Sequence, residues 1–259
     1  MRAIILSAGQ GRRMLPLTER TPKCLLSVDG EQPVLEHQLR ALERCGVLDV
    51  RVMIGFGAEQ VEDFLARRRS GPLEVRTLYN PFYATTENLI TCWLAARDMD
   101  APFVLLNGDT LFEDEVLGRI LRRAEADAVM AIDCKEAYDD DDMKVALGPG
   151  GLLSAVGKKL DPAIVDGEAI GMTCFREEGA RRFAQALDAT VRGRHTHQRW
   201  YLSVLGELAR AMPLRTASIQ GLWWAEIDSP EDLSRVQAHF RQVRRRRLRP
   251  ALPVAERPL

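Results

Sequence analysis

The chain lacks any apolar run near the roughly 18 residues needed to span a bilayer, so no integral membrane segment is expected. It lacks a charge excess: the formal net charge is −1, which supplies no overall field for nucleic acid or an anionic membrane. Its cysteines, Cys24, Cys45, Cys92, Cys134 and Cys174, are odd in number and never spaced C-x-x-C. That excludes a disulfide framework and predicts reduced, mostly buried thiols in a cytoplasmic protein. No leader is read at the start, because Arg2 runs straight into a strand-sized segment and then glycines. Histidine is scarce: His37 falls mid-helix, and no catalytic role is assigned to it or to His195, His197 or His239. Internal repeats and linkers are absent as well. What is present, 46% apolar and 28% charged residues in 259, is ordinary for a globular protein and ample for one large α/β core.

The informative segment is the opening. Ala3-Ile4-Ile5-Leu6 reads as a buried strand, followed by Gly9, Gly11, Arg13, Pro16 and then Pro22-Lys23. Glycines let backbone N–H groups approach an anion, and cations neutralise it, so this is the construction of a triphosphate loop. A dinucleotide fingerprint would need glycine where Met14 stands, and Pro16 sits where its helix should run, a cost of about 3 kcal/mol. No G-K-[ST] follows the glycines, which removes the P-loop.

Apolar runs alternate with helix-period segments through the first half, predicting strands near 2–7, 50–55, 73–79, 102–106 and 127–133. Helices are predicted near 33–46, 58–69, 87–98 and 114–124. This pattern implies βαβ units and a largely parallel sheet. In the second half Val145–Leu147, Leu152–Val156 and Ala169–Phe175 read as short antiparallel strands of an insertion covering one side of the pocket. Helices near 177–189 and 200–211, strands near 214–219 and 222–227, and a helix from Pro230 follow. The expected organisation is one domain over 1–245 and a basic, proline-containing tail over 246–259. Its arginines suit a helix C-terminus, the alternative being contact with RNA or an anionic surface.

Gly9-x-Gly11-x-Arg13-x-x-Pro16-Leu17-Thr18 with Pro22-Lys23 resembles the signature of the nucleotidyltransferases that make NDP-sugars and CDP-alcohols. Further matches are Asn107-Gly108-Asp109, Asp142-Met143-Lys144-Val145, Gly157-Lys158, Gly167-Glu168-x-Ile170-Gly171-Met172 and Trp224-x-Glu226-Ile227-Asp228. The last four are similar to the phosphocholine and phosphonate cytidylyltransferase branch. The resemblance implies a Rossmann-like three-layer α/β sandwich, with a mostly parallel central mixed sheet and a small antiparallel insertion over the acceptor site. It implies transfer of CMP from CTP to a phosphorylated or phosphonylated small alcohol or amine, with release of pyrophosphate. Phosphocholine, aminoethylphosphonate, a hydroxyalkylphosphonate and a polyol phosphate are all open as acceptors. Alternatives are a sugar-1-phosphate uridylyl-, thymidylyl- or guanylyltransferase, and a non-catalytic nucleotide-sensing module. Expected partners are CTP and the anionic acceptor, not nucleic acid, with a homodimer left open.

The site residues follow residue by residue. Asp109 directly follows a buried strand, where ligands of α/β sheets bind; alone it could equally cap the helix near 114. Asp228 ends an alternating strand that puts Trp224, Glu226 and Asp228 on one face, yet Asp228-Ser229-Pro230 also reads as a helix start. The resemblance makes Asp109 and Asp228 paired Mg2+ ligands, with Glu226 in a second metal site. It makes Lys23 and Arg13 phosphate-binding and extends nucleotide contact to Leu6, Ala8, Gly9, Gly11, Asn80, Glu87, Asn88, Asn107 and Gly108. Glu87 or Asn88 could read the base, or Thr85 and Thr86 could cap a helix that Glu87 favours electrostatically. Lys144 and Lys158 are expected to meet the acceptor's phosphate, Lys159 to face solvent, and Glu168 to touch the acceptor or cap a turn. Trp200 and Tyr201, with Trp223 and Trp224, could box a quaternary ammonium or pack the core. Asp139 to Asp142 read as a solvated turn, or as a lure for an amine.

Overall fold

The computed structural model describes residues 1–68, 71–123 and 126–248. The parallel half is built from β1 (Arg2–Leu6), β2 (Asp49–Ile54), β3 (Glu74–Tyr79) and β4 (Phe103–Asn107), connected through α1 (Val34–Arg44), α2 (Ala58–Arg67) and α3 (Asn88–Leu94). Strand order β3-β2-β1-β4 follows from crossover connections that reverse at β1. Next come β5 (Thr110–Phe112), α4 (Asp114–Leu121), β6 (Ala128–Asp133), β7 (Lys144–Leu147), β8 (Leu153–Gly157) and β9 (Gly167–Phe175). The chain continues through α5 (Glu177–Val191), α6 (Tyr201–Leu208), β10 (Arg215–Ser218), β11 (Trp224–Glu226) and α7 (Pro230–Leu248). The helix runs past the expected boundary at 245, and residues 249–259 of the expected tail lie outside the described residues.

Strand alternation explains the three layers. Ala3, Ile5, Val50, Val52, Val104 and Leu106 pack on Leu35, Leu39, Val61 and Val116 of α1, α2 and α4. Their neighbours Ile4, Met53, Phe103 and Leu105 pack on Leu89, Phe183, Leu187 and Leu205 of α3, α5 and α6. Successive strand residues point to opposite faces, so both faces of the sheet must be covered.

One expectation fails here. Ala169–Phe175 is not an insertion strand: β9 is nine residues, buried throughout, and sits antiparallel between β4 and β6. Its flanking glycines and short apolar run gave no local sign of two long-range partners. The insertion proper is the β7–β8 hairpin, whose first strand also pairs with the start of β9. The three-residue β5 was not anticipated; it pairs with β11 in a separate two-stranded ribbon. A third apolar cluster of Met14, Leu26, Val28, Leu111, Ile227, Leu233 and Val236 seats α7 against the loop after β1.

Candidate active site

Sheet register brings the site together. Leu6 pairs with Asn107, so the loops after β1 and β4 leave the sheet side by side. Gly108 donates its N–H to the Leu6 carbonyl at 3.0 Å. A Cβ there would fall on Ser7 Oγ and 2.6 Å from the Leu6 oxygen, so only glycine permits the approach. Gly11 takes a left-handed φ of 68°, and a Cβ there would press on the Lys23 stem at 3.1 Å. The glycine turn thus shelters the lysine.

Lys23 Nζ lies 2.6 Å from Asp109 Oδ2 and 2.7 Å from Asp228 Oδ1. Two oxygens bound to one nitrogen stand no more than two hydrogen-bond lengths apart, so the two carboxylates converge on one point. Burial pulls the Lys23 pKa down, but the charges of Asp109 and Asp228 outweigh it and hold the ammonium above the ordinary lysine value. The β5–β11 ribbon sets the spacing: Glu226 pairs with Thr110, and the Ile227 N–H reaches the Asp109 carbonyl at 3.2 Å. Neither acid is spent on a helix end. The α7 cap is a box in which Ser229 Oγ accepts from Asp232 N at 3.1 Å and Asp232 Oδ2 accepts from Ser229 N at 2.7 Å. The α4 N-cap position is Glu113, not Asp109.

These residues fit a divalent cation. Asp109 Oδ1 is buried without a hydrogen-bond partner, and a lysine ammonium bridges the same two carboxylates. Mg2+ is usually held by one or two carboxylates, with phosphate oxygens and water filling the rest. Glu226 does not enlarge the set: among the described residues no three His, Cys, Asp or Glu side chains converge as metal ligands. Its carboxyl is pushed up to about 8 by burial and then by the charges of Asp109 and Asp228.

A chain of alternating charges leads outward. Arg13 reaches Asp228 Oδ2 at 3.0 Å and Asp141 Oδ2 at 3.2 Å, and Lys158 reaches Asp141 Oδ1 at 2.9 Å. Beyond it a cavity of about 750 Å3 is lined by Asp133, Lys135, Asp139–Asp142, Glu168, Trp224 and Glu226. Lys135 joins Glu168 to Asp142, the latter at 3.2 Å, and Asp133 accepts from Trp224 Nε1 at 2.8 Å. Glu168 is 5% exposed. Burial pushes its carboxyl up to about 7 against the opposing pull of Lys135. A cavity of about 840 Å3 between α1 and α2 is larger, but its lining includes neither the glycine loop nor Asp109 and Asp228.

Several expected contacts fall elsewhere. Lys144 does not reach the cavity: it is buried, and its ammonium donates to the carbonyls of Asp139 and Lys158. Tyr201 is fully buried and donates its hydroxyl to Asn107 Oδ1 at 3.1 Å. Asn80 is buried too, its amide spent on Thr91 Oγ1 and the Phe82 N–H. Leu6 and Ala8 are core side chains, leaving only their backbone to a ligand. Glu87 accepts from Trp200 Nε1 at 3.2 Å and Asn88 Oδ1 from Tyr201 N at 3.0 Å, contacts that lock α3 to the segment before α6. The tryptophans form no open cage: Trp200 faces Lys158 at 4.9 Å, Trp224 faces Lys135 at 5.9 Å, and Trp223 stacks on His239 at 4.0 Å. Gly9 is open, and Lys159 is exposed. Sequence reasoning missed Lys135, Asp133 and Gln38, the last of which bonds beneath the Asp109 turn. Lys135 could have been found as the cation just past the carboxyl end of β6.

A mixed sheet with a glycine loop after its first strand and paired acids at the carboxyl edge defines a nucleotidyltransferase fold. The chain belongs to the MobA-like NTP transferase domain family, which matches residues 3–205. It is 32% identical over 248 residues to a CMP-5'-(3-aminopropyl)phosphonate synthase of Streptomyces rubellomurinus, covering 93% of this chain but only 38% of that protein. It is 32% identical over 164 residues to a choline-phosphate cytidylyltransferase of Streptococcus pneumoniae, covering 60% of this chain and 69% of that one. Among solved structures, the inositol-1-phosphate CTP transferase of T. maritima superposes with a TM-score of 0.78 at 19% identity, over 94% of this chain and 96% of the other. The S. pneumoniae CTP:phosphocholine cytidylyltransferase gives a TM-score of 0.74 at 20% identity, over 92% and 98%. Both show the shared fold. Among the described residues no helix is long and apolar enough to cross a membrane.

Proposed function

We propose that the chain is a Mg2+-dependent cytidylyltransferase, moving CMP from CTP to a phosphate or phosphonate oxygen of a small acceptor. The observation that carries this reading is Lys23 held between Asp109 and Asp228 against the Gly11 turn. The names of the two relatives above support the cytidine base and the anionic acceptor.

A phosphate ester is largely dianionic at neutral pH, its second pKa being about 6, so the nucleophile needs no general base. The acceptor oxygen bonds to the α-phosphorus, the bond to the bridging oxygen breaks, and its electrons leave with pyrophosphate. What opposes reaction is anion meeting anion. Lys23 and Arg13 have carboxylate partners that phosphate oxygens can replace, and the amides of the glycine turn add donors. Asp109 and Asp228 would hold Mg2+, which when bound supplies charge neutralisation at the phosphates. The acid-lined cavity favours an acceptor carrying an ammonium group at its far end. With Trp200 and Trp224 already facing lysines, a primary amine fits it better than a quaternary one.

The test is pyrophosphate release with each of the four NTPs and dTTP against aminoethylphosphonate, phosphocholine, a hydroxyalkylphosphonate and glucose 1-phosphate, with and without chelator. The expected result is CTP-dependent release with the aminoalkylphosphonate, abolished by chelation. Preference for UTP or dTTP with the hexose phosphate would transfer the chain to the sugar branch. Absence of release in every combination would favour a nucleotide-sensing role.

A further inference from the structure

We infer that Gln38 is a positioning residue for Asp109, a role that rests on the metal-holding reading of that acid. Gln38 belongs to α1 and is 1% exposed. Its carboxamide lies beneath the turn joining β4 to β5, where Nε2 donates to the Asn107 carbonyl at 2.7 Å and the Thr110 carbonyl at 2.8 Å. Those carbonyls flank Gly108 and Asp109, so one side chain staples both ends of the turn that carries the acid.

The other supports act from different directions. Ile227 N holds the Asp109 carbonyl from β11 at 3.2 Å, Thr110 Oγ1 donates to the Ile170 carbonyl at 3.2 Å, and Gly108 N is tied to β1. Among the described residues, only the Gln38 side chain bridges the turn. Its orientation is fixed, because flipping the amide would set Oε1 against two carbonyl oxygens. That orientation leaves Gln38 Oε1 buried with no hydrogen-bond partner. A buried orphan acceptor works against stability, and departures of this kind concentrate where function sets the requirement. An apolar residue of the same length would fill the space but leave both carbonyls without their donor and the turn free to shift. A carboxylate displaced by a fraction of an ångström loses much of its effect on a cation bound near 2.1 Å.

The test compares wild type with Gln38→Met, reading Mn2+ binding by electron paramagnetic resonance with and without CTP, CTP affinity in chelator, thermal unfolding, and pyrophosphate release. The expected result for the variant is a cooperative fold and CTP affinity within about twofold of wild type. Mn2+ affinity in the presence of CTP should fall about tenfold, and kcat should fall at least as far with little change in KM for CTP. Loss of CTP affinity in step with Mn2+ affinity would show general damage and overturn the inference, as would unchanged Mn2+ binding and kcat. If Gln38→Met does not unfold cooperatively, Gln38→Glu, which keeps the shape and removes the paired donors, is read by the same criteria. Wild type that binds no Mn2+ with CTP would overturn the reading of Asp109 itself, whereas wild-type binding matched by the variant overturns only the role of Gln38.

Discussion

The loop after β1 and the loop after β6 leave the same edge of the sheet and are built on opposite principles. The first is made of backbone: Gly11 turns left-handed against the Lys23 stem, and Gly108 presses on β1 from the neighbouring strand. The second is made of side chains: Lys135 spans Glu168 and Asp142, Asp141 joins Lys158 to Arg13, and Lys144 holds the loop from beneath. Backbone devices depend on which residue stands at which offset along the chain. Charge devices depend on partners brought together from distant elements. The nucleotide side of the site is therefore local and the acceptor side is not.

The largest effect expected from this contrast is at the nucleotide side. Asp109→Asn should lower pyrophosphate release about 10³-fold, with the fold retained and CTP still bound through the glycine turn. Asp228→Asn should behave alike, since both carboxylates share Lys23. Near-normal turnover in either variant would break the pairing on which the comparison stands.

On the acceptor side the loss should be selective and smaller. Glu168→Gln should raise KM for an amine-bearing acceptor about tenfold, the scale of one charge-assisted contact, and leave KM for CTP unchanged. The same variant has a second signature. The Glu168 carboxyl is raised from 4.5 to about 7 in the fold, so between those values the folded chain holds a proton that the unfolded chain has lost. Stability contributed by that proton is present at low pH and declines as pH rises through the window. In chelator, the fall of Tm between about pH 5 and 7 should be shallower in Glu168→Gln than in wild type.

How far each side was readable follows from the same contrast. Gly9, Gly11, Lys23 and Asp109 stand at fixed offsets from two apolar strands, and the register of β1 with β4 then left little freedom in where they meet. Lys144 was misjudged for a physical reason: alternation along β7 places a residue on a face but does not say whether that face meets a cavity or the carbonyls of its own hairpin. The burial of β9 on both faces was similarly hidden, because its partners β4 and β6 lie far away in sequence. Lys144→Met tests this distinction. A ligand contact would raise KM for the acceptor at constant stability. The observed contacts predict instead the loss of a charged hydrogen bond of about 2 kcal/mol, and a drop in Tm of about 5 °C.

The smallest effects separate two adjacent lysines that differ only in what they face. Lys158 pairs with Asp141 at 2.9 Å and stands 4.9 Å from the centre of the Trp200 ring. Lys159 is exposed. Asp141 is itself mostly exposed, so the pair contributes little to stability, and Lys158→Ala should shift Tm by under about 1 °C. Its consequence is electrostatic. Without Lys158, Asp141 keeps its ion pair with Arg13 and draws that guanidinium away from Asp228 and from the phosphates, which should raise KM for CTP about threefold. Lys159→Ala should change neither quantity. Equal effects in the two variants would mean that the charge chain does not connect the acceptor loop to the nucleotide side, leaving the two loops as neighbours that share an edge of the sheet and nothing more.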